Sequence, residues 1–167
     1  RHALVGILEV YLDAEEDVEQ TSAEQRDYQE PMQRPTVKST PLTKENLRQR
    51  TEQMLRVLRW CAMQFRSMRF TDALYRGRYN LHRGNLEQAR RQLRSSLSLS
   101  RLHGGRFEQA QAHYWLGRSL KAKAGDLDRP DEAVSHLRAA LAVFEQMGLT
   151  WSASRVRRVM SSLDRAG

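Results

Sequence analysis

Arginine carries most of the chemistry that this sequence offers. Arg78 and Arg118 each follow a glycine, and Arg158 lies a further 40 residues along. A guanidinium is a planar fork of donors that grips a carboxylate or phosphate with two parallel hydrogen bonds. Arginine outnumbers lysine 24 to 4, so a functional ladder competes with the simpler reading of a solvated, arginine-rich face. The charge is unevenly placed: residues 1–35 carry net −6, residues 36–167 carry net +14, and the whole chain carries +8. Such a balance suits an anionic partner for the second part, or an acidic arm that screens it.

Other reactive side chains form no recognisable constellation. The histidines are His2, His82, His103, His113 and His136, and none pairs with another, or with Cys61, at i, i+3 or i+4. No metal site and no cofactor are therefore expected. Cys61 is the only cysteine and sits beside an apolar stripe, which points to a structural thiol rather than a nucleophile. A lone cysteine forms no internal disulfide, so a reducing, cytoplasmic setting is expected. Asp126 and Asp128 lack a third acid at calcium-loop spacing. Phosphate loops, zinc-protease helices and CxxC pairs are absent from the sequence. An enzyme with catalytic residues of its own is not expected. No run approaches the roughly 18 apolar residues of a membrane span.

These side chains must be positioned by helices. Leu4, Ile7, Leu8, Tyr11 and Leu12 predict an amphipathic helix over 3–18 whose end turns acidic, so residues 1–19 form an N-terminal helical arm. Residues 20–42, with Pro31, Pro35 and Pro41, read as a linker. Its Thr36–Pro41 stretch is a candidate phosphoacceptor segment. Residues 43–167 read as one helical repeat domain. Thr43 caps a helix to about Met68 with Leu47, Met54, Leu55, Leu58, Ala62 and Phe65 in its stripe. Helices over 70–83, 86–103, 106–124, 130–147 and 149–165 follow, with Thr71 or a neighbour capping the first of these. Leu86, Ala89, Leu93, Leu97 and Leu102 are expected inward on the second. Gly84-Asn85, Gly104-Gly105, Gly125 to Pro130 and Gly148 separate them. Trp60, Trp115 and Trp151 are expected to pack internally.

Between Phe70 and Met147 the pattern repeats. Phe70-Thr71-Asp72-Ala73 recurs as Phe107-Glu108-Gln109-Ala110, and Gly77-Arg78 as Gly117-Arg118, 40 residues on. Repeats of this length are stacked helix pairs, because one pair cannot bury its own apolar face. The chain resembles the tetratricopeptide repeat family over residues 69–163. Trp115-Leu116-Gly117 with Ala133 and Ala140 carries the likeness, with Gly77 and Ala89 as a weaker copy. The spacing departs from the family's roughly 34 residues, and the motif-ending proline is missing. The Ala142–Gly148 ending is similar to the C-terminal repeat arrays of large multidomain signalling ATPases, transcription activators and nucleotidyl cyclases. The resemblance implies an all-α fold of antiparallel helix pairs stacked as a solenoid, serving as a scaffold or sensor within a larger signalling protein. The chain opens on Arg1-His2 without an initiator methionine and is expected to be part of such a protein, whose other modules would hold any catalysis.

In that family the first helix of each pair lines a concave groove. The resemblance then places Leu74, Arg78 and Leu81, next Gln111, Tyr114, Arg118 and Lys121, and finally Arg155 and Arg158 against a partner. The expected partner is an acidic protein or peptide, which includes the chain's own acidic arm at 13–19 and other domains of the parent. A nucleic-acid-binding module is the alternative, motivated by the net +14.

Overall fold

Helices here begin and end where backbone geometry requires it. Gly104 closes one helix at φ 72° and Gly148 sits just past the end of another at φ 70°, in the left-handed region that a Cβ disfavours. At both ends the residue after the glycine bonds back to the last turn: Gly105 N–H to Ser100 O and Leu149 N–H to Phe144 O, each 2.9 Å. Gly148→Ala leaves the space around the residue open but forces alanine into that region. We expect a loss of about 1 kcal/mol, read from urea denaturation.

The computed structural model describes residues 6, 9, 10, 12, 44–121 and 130–164. The described residues are helical with short connecting turns, and contain no strand. None of their helices is long and apolar enough to cross a membrane. The acidic arm at 13–19, the linker at 20–42 and the 125–129 turn lie outside the described residues, as does the expected boundary at 42–43.

The chain divides into two units, Arg1–Trp60 and Cys61–Gly167. In the first, residues 6, 9, 10 and 12 are helical and Leu12 is buried. Helix α1, Lys44–Gln64, begins in this unit, where Leu47, Thr51, Leu55 and Leu58 make its buried stripe. Thr51 enters that stripe because its hydroxyl donates to Leu47 O at 2.9 Å. Trp60 is exposed, not packed.

In the second unit α1 stops at Gln64, four residues before the expected end. Phe65 takes an extended conformation, followed by a single 3-10 turn, Arg66–Met68. That break swings Phe65 out of the expected stripe, to 59% exposed. Helix α2, Arg69–His82, then starts without a side-chain cap; Thr71, the expected cap, is buried inside its first turn. Four further helices follow: α3 Leu86–His103, α4 Arg106–Lys121, α5 Pro130–Gln146 and α6 Thr150–Asp164.

From α2 onward, consecutive helices pack against one another. Ser96 Oγ donates to Phe70 O at 2.8 Å, while Asn80 Nδ2 donates to Gln92 Oε1 at 2.8 Å, so partners on α2 and α3 run in opposite order. The same reversal relates α4 and α5 through the Phe107–Phe144 ring contact at 6.3 Å and the approach of Gly117 to Leu137. Arg90 Nη2 reaches Ser119 O from α3 at 2.9 Å, and Arg157 on α6 pairs with Glu145 on α5. Helices α2 and α4 are also neighbours, as are α4 and α6. The core between them holds Leu74, Tyr75, Ala89, Leu93, Ala110, Leu116, Ala133, Leu137, Ala140, Phe144, Ala153 and Val156.

Candidate functional site

Helices α2, α4 and α6 each contribute to one cluster. From α2, Arg78 is 4% exposed, with its guanidinium carbon 4.5 Å from the centroid of the Trp115 ring. From α4, Trp115 itself is 1% exposed and donates its indole N–H to Gln111 Oε1 at 3.2 Å. Tyr114 meets Trp115 edge-on, centroids 5.1 Å apart. Arg118, one turn along α4, lies 4.8 Å from the Trp115 ring and 5.9 Å from Tyr114. From α6, Arg155 lies 5.5 Å from Tyr114, 6.0 Å from Trp115 and 4.7 Å from Trp151. Three guanidiniums therefore surround two buried rings.

Helical spacing explains the convergence. Residues 111, 114, 115 and 118 fall on one face of α4 at i, i+3, i+4 and i+7. Each ring face attracts a cation by about 0.5–2 kcal/mol, more where water is excluded. Those contacts help to hold the arginines in place. Arg155 has no carboxylate partner among the described residues, only ring faces. Because the guanidiniums are already ordered, less side-chain entropy is lost when they bind an anion.

The site is a surface rather than a chamber. A dent between Gln111, Tyr114, Phe144, Ser152 and Arg155 has a volume of about 10 Å³. That holds about one water molecule and no organic ligand. Trp151 extends the surface outward at 66% exposed.

The expected partner-facing residues separate into groups. Arg78, Gln111, Tyr114, Arg118 and Arg155 come together around Trp115. Leu74 lies in the core at 2% exposed, and Leu81 is half-buried on α2. The side chain of Lys121 lies outside the described residues. Arg158 is exposed one turn beyond Arg155, where its carbonyl accepts from Ser161 Oγ at 2.9 Å. The 40-residue spacing leads from Arg118 to Arg158, but the third guanidinium at the rings is that of Arg155.

Two features escape a reading of the sequence. Trp115 is the platform, with His82 also against it at 6.1 Å. His113 and His136, 23 residues apart, meet across α4 and α5 with their Nδ1 atoms 2.9 Å apart. The Gly117–Leu137 contact is the signal that brings position 113, one turn before Gly117, near the turn that carries His136. Among the described residues there is no group of three side chains able to hold a metal ion. Compared with family models, curated proteins and solved structures, the chain matches none.

Proposed function

We propose that residues 43–167 form a tetratricopeptide-like solenoid that works as a protein-interaction module, taking an acidic peptide segment on the face of Arg118 and Arg155, with the buried Arg78 behind them. The module belongs to a larger signalling protein in the cytoplasm and scaffolds or senses rather than catalyses. What supports this is one observation: guanidiniums from α2, α4 and α6 converge on the buried Trp115. Carboxylates are the matching chemistry, since arginine binds them through two parallel hydrogen bonds. The chain supplies one acidic segment itself, Asp13 to Glu19, with five carboxylates.

A labelled peptide of residues 13–19 tests the proposal. The acceptor is the full chain with Asn or Gln at its own 13–19 acids, which removes competition in cis. Arg118→Glu and Arg155→Glu are each expected to weaken binding about tenfold or more, about 1.4 kcal/mol, at low salt. The melting temperature is expected to fall by only a few degrees, since each ring contact is worth about 1 kcal/mol. Absence of binding, or equal affinity in the variants, would remove the acidic-peptide face.

The net +14 of residues 36–167 favours a second reading, nucleic-acid binding. Against it, Tyr114 and Trp115 are buried and offer no free faces for bases to stack on. Duplex and single-stranded probes with steeply salt-dependent affinity would support it, and no binding at low salt would end it.

A further inference from the structure

Behind the arginine face, a second cluster joins α3, α4 and α5. Arg101 Nη2 on α3 lies 3.4 Å from His113 Nε2 on α4. His113 Nδ1 lies 2.9 Å from His136 Nδ1 on α5. His136 Nε2 lies 3.8 Å from Glu132 Oε1, and Arg94 Nη2 on α3 lies 3.6 Å from the same oxygen. Arginine only donates, so His113 Nε2 must accept. A neutral His113 then carries its proton on Nδ1 and donates it to His136 Nδ1. His136 in turn carries its proton on Nε2, facing Glu132. Every tautomer in the chain is thereby fixed, and keeping all of its links requires both imidazoles to be neutral.

The geometry points to a pH-sensitive clasp: the neutral His113–His136 couple locks α4 against α5, and proton uptake by either ring costs the cluster one of its links, the Nδ1–Nδ1 bond or the Arg101–His113 bond. A proton added to His136 Nδ1 faces the N–H of His113 at 2.9 Å. A proton added to His113 Nε2 faces the cationic Arg101. Neither addition leaves the linkage intact. The other charged groups at the couple are Arg94 on α3 and Glu132 on α5; the arginines oppose protonation and Glu132 favours it at His136. Burial above all, then His136 and Arg101, lower the His113 pKa from 6.5 to about 4. Burial also lowers that of His136, against the pull of Glu132. The clasp is independent of what binds the arginine face.

Both folded-state values lie below the unfolded one, so the unfolded chain takes up protons first as pH falls. Stability from the couple is complete above about pH 6.5 and declines as pH drops toward 4. For His113 alone, the folding equilibrium constant is expected to fall roughly 30-fold between pH 7.5 and 5. Urea denaturation of the full chain and of its His113→Gln/His136→Gln variant measures this. We expect the drop to shrink to under about fivefold in the variant, and hydrogen exchange in α4 and α5 of the unmodified chain to quicken over the same range. An NMR titration of the unmodified chain is expected to show His113 still neutral at pH 6 and His136 titrating below a free imidazole. A His113 that titrates between pH 6 and 7, or equal pH dependence in the two proteins, would overturn the clasp. Should the variant not fold, the titration decides by itself.

Discussion

Trp115→Ala is expected to destabilise the second unit by about 3–5 kcal/mol, measured by urea denaturation at pH 7.5. Trp115 is among the largest fully buried side chains, and its indole N–H is bonded to Gln111. Truncation leaves a cavity bordered by Tyr114 and His82, and removes the ring against which three guanidiniums rest. Two costs then act together. Apolar burial is lost, and the guanidiniums lose the ring quadrupole that held them. With whole-domain stability of about 5–15 kcal/mol, a loss of this size is a large share of the total. Trp115→Phe separates the two costs. Phenylalanine keeps an apolar face under the arginines but cannot donate to Gln111, so we expect a smaller loss of about 1–2 kcal/mol. It should retain most peptide affinity, whereas Trp115→Ala should lose it at conditions where the chain is still folded. Equal effects of the two substitutions would mean that the ring faces do not hold the arginines.

Helix order was legible because its punctuation is local. Glycine at 84, 104 and 148 marks the ends that left-handed geometry then imposes. What failed is equally physical. Leu102 was expected inward, yet it is 76% exposed, because it stands five residues after Leu97 and off the face that repeats every three or four. The inward places near that end belong to Ser96 and Ser100, whose hydroxyls donate to Phe70 O and Leu97 O. A buried serine satisfied by a backbone carbonyl leaves no trace in an apolar stripe. The same holds for the site. Arg78 and Arg118 are visible as neighbours of repeating glycines, but the choice of Arg155 over Arg158 depends on helical phase after a turn of irregular length. Trp151 was expected inside and is exposed, since its ring lies at the outer end of the cluster rather than between helices. The His113–His136 couple depends on interhelix register, which no spacing within one helix encodes.

That register rests on two glycines, and they supply the second large effect. A Cβ built on Gly117 would lie 2.7 Å from Leu137 Cγ and 3.2 Å from Ala133 O; one built on Gly77 would lie 2.7 Å from Leu93 Cγ and 3.2 Å from Leu93 N. The two contacts are equivalent, which is the structural content of the repeated Gly-Arg. Alanine at either site gains about 1 kcal/mol of helix propensity but overpacks a closed interface, at about 1–3 kcal/mol. The leucines are fully buried and the nearest backbone atoms are fixed in helices, so overpacking wins and the net loss should be about 1–2 kcal/mol. Valine, with two further methyl groups, should cost about 3 kcal/mol or more. Leu137→Ala alone should cost about 2–5 kcal/mol through the cavity it leaves. Combined with Gly117→Ala, however, the new methyl enters space that Leu137 vacated. The pair should be less destabilised than the sum by about 1–2 kcal/mol, and Gly77→Ala with Leu93→Ala should behave alike. The crossed pair, Gly77→Ala with Leu137→Ala, changes two different interfaces and should be additive within about 0.5 kcal/mol. Additivity in the matched pairs would mean that these helices are not held apart by glycine–leucine contact, and the equivalence of the two repeats would lose its physical basis.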